Sequence, residues 1–220
     1  MNMSCNEKFD IVRVSNAMAA RDFTTATGGN ISMRTDEDGC WITPSRLHKA
    51  LVTEDDMVMV DKDGQKIAGD REASSEVMLH LAVYRALPQA SAVIHAHPPY
   101  INGFAQNCMP IDTRSSSEAV FLLGAEVPVL PYFRPGTFDL ANGVEKAVNS
   151  RQQAYLLANH GVICWGVNLQ EAYDILDTLE LFARSLVVSR ILGGDKPLPP
   201  EEVQWLEEKF SEYARRRDGV

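Results

Sequence analysis

Five histidines occur in the 220 residues, at 48, 80, 95, 97 and 160, and two of them form His95-Ala96-His97. That pair follows the apolar run Ala92-Val93-Ile94, which reads as a buried strand. Residues i and i+2 of a strand point to one face, so both imidazoles can address a single point. His160 stands in Asn159-His160-Gly161, at the end of the apolar run Ala154 to Leu157. Three neutral imidazoles around one divalent cation, with a fourth position open to substrate or water, is the layout of a catalytic metal site. Spacing alone leaves a plainer reading open: an HxH pair can cap or pack, and nothing in spacing makes the two strands neighbours. His48, beside Lys49 in a polar stretch, reads as a surface residue. His80 lies four residues after Glu76 on one helical face, either behind the site or as a satisfied core histidine.

Ser74-Ser75-Glu76 precedes a helical pattern at Val77, Leu79, Leu81, Ala82 and Tyr84, so Glu76 is expected in the first turn of that helix. A carboxylate there complements the helix dipole. Beside a metal it can also act as general acid/base. The two hydroxyls and the free helix N–H groups make an anion-binding end, and a phosphate held there would bring the rest of a small substrate to Glu76.

Around these groups the sequence alternates helices and short strands. Apolar spacing predicts a first helix from Phe9 to about Arg21, strands at Ile31–Met33, Trp41–Thr43 and Met57–Val60, and a helix from Ser74 to Leu87. It further predicts a helix after Pro99, strands at Val127–Leu130, Ala154–Leu157 and Gly161–Gly166, and helices over Phe138–Val148, Leu169–Leu192 and Glu201–Arg217. The chain is 45% hydrophobic, enough for one core, which predicts a single domain over 1–220. A net charge of −9 speaks against nucleic acid as a partner, because neutralising phosphates needs a basic surface. No run of about 18 apolar residues marks a membrane span. The four cysteines show no CxxC spacing and the first ten residues no apolar signal core, so reduced thiols and a cytoplasmic location are expected. Thr27-Gly28-Gly29-Asn30 fits neither a GxGxxG nor a GKS/T pattern, which argues against dinucleotide and P-loop binding.

Five segments occur in one order: Thr27-Gly-Gly-Asn-Ile-Ser32, Ile42-Thr-Pro-Ser45, Ser74-Ser-Glu76, Val93-Ile-His-Ala-His97 and Leu157-Ala-Asn-His-Gly161. Together they resemble the class II aldolase/adducin family over residues 8 to 215. The resemblance implies an α/β fold, three layers α/β/α around a mainly antiparallel sheet, and a homotetramer with active sites between subunits. It implies Zn²⁺, with Co²⁺, Mn²⁺ or Fe²⁺ as other candidates, on His95, His97 and His160, with Glu76 as general acid/base and ligand of the resting metal. A phosphate is implied among Gly29, Asn30, Ser45, Arg46, Ser74 and Ser75. Tyr213, in the last helix, is the implied proton donor to a neighbouring subunit's site, or simply an aromatic of an amphipathic helix. The implied reaction is retro-aldol cleavage of a ketose 1-phosphate, of the L-fuculose-1-phosphate type, to dihydroxyacetone phosphate and an aldehyde through a metal-stabilised enediolate.

Two departures bear on substrate. The aldolase pattern has Gly where this chain has Arg46, and a guanidinium there can grip a phosphate or favour a carboxylate. Asp112-Thr113-Arg114 replaces a tyrosine-bearing segment, which makes Arg114 a candidate substrate contact. Pro131-Tyr-Phe-Arg-Pro-Gly136 resembles relatives that decarboxylate 3-oxo sugar-acid phosphates, and the family also holds epimerases, dehydratases and non-enzymatic adducin-like binding proteins. Retention of all three histidines and Glu76 favours an enzyme.

Overall fold

The structure is a computed structural model that describes residues 7–35 and 39–217, with side chains to residue 212. Its centre is an eight-stranded sheet in the order β4-β3-β2-β1-β5-β10-β9-β8. The strands are β1 (Asn30–Arg34), β2 (Cys40–Ile42), β3 (Val58–Val60), β4 (Lys66–Ala68), β5 (Ala92–Ala96), β8 (Val129–Leu130), β9 (Ala154–Leu157) and β10 (Gly161–Gly166). All neighbours are antiparallel except β8 with β9. A separate ribbon pairs β6 (Ile111–Asp112) with β7 (Glu126–Val127). The helices are α1 (Glu7–Ala20), α2 (Val77–Ala86), α3 (Pro99–Gln106), α4 (Ser117–Leu123), α5 (Phe138–Ala147), α6 (Leu169–Ile191) and α7 (Pro200–Arg217).

Helices cover both faces of the sheet. β5 and β10 are buried along their whole length, which is why they read as unbroken apolar runs. Their pleat sorts the core into two layers. Ala92, Ile94, Val162 and Cys164 face Ile11, Ile101 and Leu176 of α1, α3 and α6. Val93, Ile163 and Trp165 face Leu79, Val83 and Leu140 of α2 and α5. The α/β class and the mainly antiparallel sheet agree with the sequence reading.

Two local differences have physical causes. The expected strand Val127–Leu130 is divided at Pro128: β7 joins the small ribbon and β8 the main sheet. A proline supplies no N–H to a ladder and so marks the break. Glu76 is the N-cap residue of α2 rather than a first-turn acid, and its side chain makes no capping bond.

The chain just after His97 is held from across the layer. Glu180 of α6 is buried, and its two carboxylate oxygens accept from the first free N–H groups of α3, Tyr100 N at 3.0 Å and Ile101 N at 2.9 Å. Glu180→Ala leaves both donors unpaired and is expected to cost about 2–4 kcal/mol of unfolding free energy. Urea denaturation measures this, and Glu180→Gln, which keeps an acceptor, should lose less.

Candidate metal centre

Register brings the histidines together. β5 and β10 align His95 with Ile163 and Ala96 with Val162. His95 shares the pleat side of Val93, so it points toward the layer in which α2 begins. His160 sits in the tight connection from β9 to β10, where Gly161 pairs with Leu157 and Asn159 adopts a left-handed backbone with φ 56°. His160 N donates to Leu157 O at 3.0 Å, and Asn159 N donates to Ala105 O of α3 at 2.9 Å. His97, one residue past β5, is tied by its own N–H to Phe23 O at 2.9 Å.

The three rings thus surround one point. Their centroids lie 4.7 Å apart for His95 and His97, 4.6 Å for His95 and His160, and 5.5 Å for His97 and His160. One nitrogen from each falls within 4.8 Å of the others. Glu76 completes the group: Oε2 is 3.3 Å from His95 Nε2, and Oε1 is 3.2 Å from His160 Nε2. His95 and His97 bring their Nε2 atoms to 3.0 Å.

These distances suit a divalent cation. A tetrahedral ion with bonds of 2.0–2.1 Å spaces its ligand atoms by about 3.3 Å. His95 Nδ1 must carry its proton, because its 2.9 Å partner, Val162 O, can only accept. The His95 Nε2 lone pair is therefore turned into the cluster, the tautomer a metal ligand needs. Glu76 Oε1 is buried and accepts no directed hydrogen bond among the described residues, with His160 Nε2 facing it at 3.2 Å, as expected of a carboxylate that completes a ligand set. Burial holds the His95 ring below its ordinary pKa, and burial with the facing His95 and His160 rings brings His97 down to about 3. Burial thus favours the neutral, ligand-competent form of both rings. Burial pushes the Glu76 carboxyl up, but His95, His160 and the hydrogen bond from Asn30 outweigh it and keep it ionised, well below the usual carboxylate range.

Behind Glu76 runs a buried relay that sequence reading reached only as an open question about His80. Asn30 Nδ2 donates to Glu76 Oε2 at 3.0 Å, so its Oδ1 is the acceptor for His80 Nε2 at 2.5 Å. His80 Nδ1 must then accept, from Ser32 Oγ at 2.7 Å, and Ser32 in turn accepts from Tyr84 OH at 2.7 Å. Burial, with His95 adding to it, pulls His80 down to about 3, so the chain is uncharged until it reaches the carboxylate. Ser32 closes the Thr27–Ser32 segment without a role assigned to it there, and Tyr84 carried no motif signal beyond its place on a helix.

The segments assigned to phosphate lie side by side. Asn30 pairs with His95 across β1 and β5. Ser45 N donates to Glu72 O at 3.0 Å and Ser45 Oγ to Ala73 O at 2.9 Å, which seats the Ser45–Arg46 turn against the residues that lead into Ser74 and Ser75. Ser74 Oγ accepts Glu76 N at 3.3 Å. Gly29 has φ +73°, and a Cβ there would meet His95 O at 3.1 Å. Arg46 is exposed and holds the same left-handed backbone, φ 59°, a conformation that glycine adopts without strain. Both ends of the Asn30 amide are engaged by Glu76 and His80. Arg114 lies apart on an exposed loop, its Nε donating to Asp112 Oδ1 at 2.9 Å, with no contact to the cluster among the described residues. His48 is exposed, and its Nδ1 caps a 3₁₀ turn through Ala50 N. Tyr213 falls in α7, and its side chain lies outside the described residues. Cys40, Cys108 and Cys164 are free thiols away from the cluster, and Cys5 lies outside the described residues.

Gly161 is dictated by this packing: a Cβ there would come within 2.5 Å of both Ala96 O and His97 Cδ2. Gly161→Ala is expected to displace the His97 ring and weaken metal binding about 10–100-fold, the range typical of disturbed ligand support. Metal titration alongside circular dichroism checks this, and unchanged affinity in a folded variant would refute it.

Residues 9–187 match the family described as Class II Aldolase and Adducin N-terminal domain. The 5-deoxy-D-ribulose 1-phosphate aldolase of Bacillus thuringiensis serovar kurstaki is 32% identical over 211 residues, 96% of this chain and 98% of that protein. The 3-oxo-tetronate 4-phosphate decarboxylase of Pectobacterium atrosepticum is 32% identical over 192 residues, 85% of each chain. A solved L-fuculose 1-phosphate aldolase superposes with a TM-score of 0.84 at 31% identity, covering 94% of this chain and 97% of the other. With its fold, its five ordered segments and its histidine cluster in agreement, the chain belongs to the class II aldolase and adducin family.

Proposed function

We propose that this protein is a metal-dependent aldehyde-lyase that cleaves a ketose 1-phosphate to dihydroxyacetone phosphate and an aldehyde. The observation that carries the reading is the grouping of His95, His97, His160 and Glu76 at ligand-edge spacing, with Glu76 oriented by Asn30. His95, His97, His160 and Glu76 would hold a divalent cation, Zn²⁺ by the nitrogen-rich donor set, and it would supply Lewis acidity to the substrate carbonyl. Breaking the C3–C4 bond requires a proton to leave the C4 hydroxyl and another to reach C3. Glu76, at the mouth of the histidine cluster, handles the proton at C3. Tyr213 of a neighbouring subunit handles the one at the C4 oxygen, in a homotetramer that completes each site. Gly29, Asn30, Ser45, Arg46, Ser74 and Ser75 receive the phosphate, with Asn30 turning from Glu76 as the carboxylate moves.

Decarboxylation of a 3-oxo sugar-acid phosphate is the second reading. The Pectobacterium relative supports it, as does the Pro131–Gly136 segment, where a Cβ on Gly136 would lie 3.5 Å from Ser75 O. Both reactions develop a carbanion next to a carbonyl. A screen of ketose 1-phosphates and 3-oxo-acid phosphates separates them: dihydroxyacetone phosphate with an aldehyde and no CO₂, from a ketose 1-phosphate, is expected, and CO₂ released together with the phosphorylated hydroxyketone from an oxo acid, with ketose 1-phosphates left intact, would replace the first reading by the second.

His97→Ala is expected to lose bound metal and turnover together, measured by elemental analysis and initial rates; full activity without metal would refute the mechanism. Glu76→Gln is expected to keep the metal and lose about 10²–10⁴-fold in kcat. A loss below about threefold, small beside that range, would remove Glu76 from proton transfer.

A further inference from the structure

Lys49 is a cation without a counter-charge among the described residues. Its side chain is buried, with the residue 1% exposed, and it forms no ion pair with any described carboxylate. Its Nζ donates instead to two backbone carbonyls, Thr27 O at 3.3 Å and Leu47 O at 3.0 Å. An ammonium has three protons, so one remains uncommitted among the described residues. Burial alone brings this group down to about 8, with no neighbouring anion to hold it up, and its charge is felt at His97. Removing an ammonium from water costs several kcal/mol unless an anion repays it. The two carbonyls specify where repayment would come from. Thr27 begins the turn that leads into Gly29 and Asn30, and Leu47 follows Ser45 and Arg46. One buried cation therefore ties together two of the three segments of the proposed phosphate pocket.

We propose that Lys49 is the counter-charge for the substrate's phosphate, holding the Thr27–Asn30 and Ser45–Leu47 segments in register from beneath while its field favours a phosphate monoester between them. This rests on the proposed function for the presence of a phosphate. It adds a specificity residue outside the set given by the motifs: a carboxyl or neutral substrate end would leave the cation under-compensated.

The test compares glycolohydroxamate with phosphoglycolohydroxamate, which share a chelating end and differ by the phosphate, binding to the metal-loaded protein by calorimetry. In Lys49→Met, the ratio of the two affinities is expected to fall at least about tenfold, while glycolohydroxamate alone changes by less than about twofold. Lys49→Gln removes the charge but keeps an amide donor for the carbonyls, and the same fall is expected there should the methionine variant fail to fold. An unchanged ratio, or equal weakening of both ligands, overturns the proposal and leaves Lys49 a loop anchor. A wild-type protein that binds glycolohydroxamate but gains nothing from the phosphate overturns the phosphate pocket itself and Lys49's role with it. One that binds neither overturns the proposed function.

Discussion

A single hydrogen bond between the two central strands sets the chemistry of the cluster. His95 Nδ1–H donates to Val162 O at 2.9 Å, which fixes both the tautomer and the plane of the ring. It exists because β5 and β10 are aligned with Ala96 opposite Val162. The same alignment determines where the β9–β10 turn falls, and so where His160 stands. A slip of one residue would turn His95 into the layer of α1, α3 and α6 and carry His160 away from it. The unbroken burial of both strands makes such a slip expensive, so the core that stabilises the sheet also enforces the metal geometry.

Around that bond the site is arranged as three imidazoles, one anchored carboxylate and one distant cation. Burial holds His95 and His97 below the ordinary imidazole range, and the facing rings together with Asn30 hold the Glu76 carboxyl below the usual carboxylate range. Asn30 itself is oriented by His80, Ser32 and Tyr84, a chain in which each donor and acceptor follows from the one before. Such a relay leaves Glu76 one preferred position while costing no buried charge. α3 binds the parts together: it begins just after His97, is capped by Glu180 and holds the Asn159 turn through Ala105 O.

Much of this was legible in the sequence, for identifiable reasons. Strands buried on both faces read as apolar runs, and the helical spacing of apolar residues marked α5 and α6. The short elements did not show: β4 is exposed along its length, β6 has two residues, and Pro128 sits inside what looks like one strand. The HxH pair was readable because strand geometry has period two. The approach of His160 was not, since it depends on the pairing of strands 65 residues apart in the chain, and only the family resemblance pointed to it. Neither Lys49 nor the linkage of Tyr84, Ser32 and His80 into one relay was readable, because their meaning lies in what they touch across the fold.

The central claim is that one divalent ion is held by three imidazoles of this chain. X-ray absorption spectroscopy at the edge of the bound metal tests it most directly. The account predicts one ion per chain with a shell of three imidazole nitrogens and oxygen at about 2.0–2.1 Å, free of sulfur. A shell with fewer than three imidazoles, or with sulfur scattering at about 2.3 Å, would contradict it.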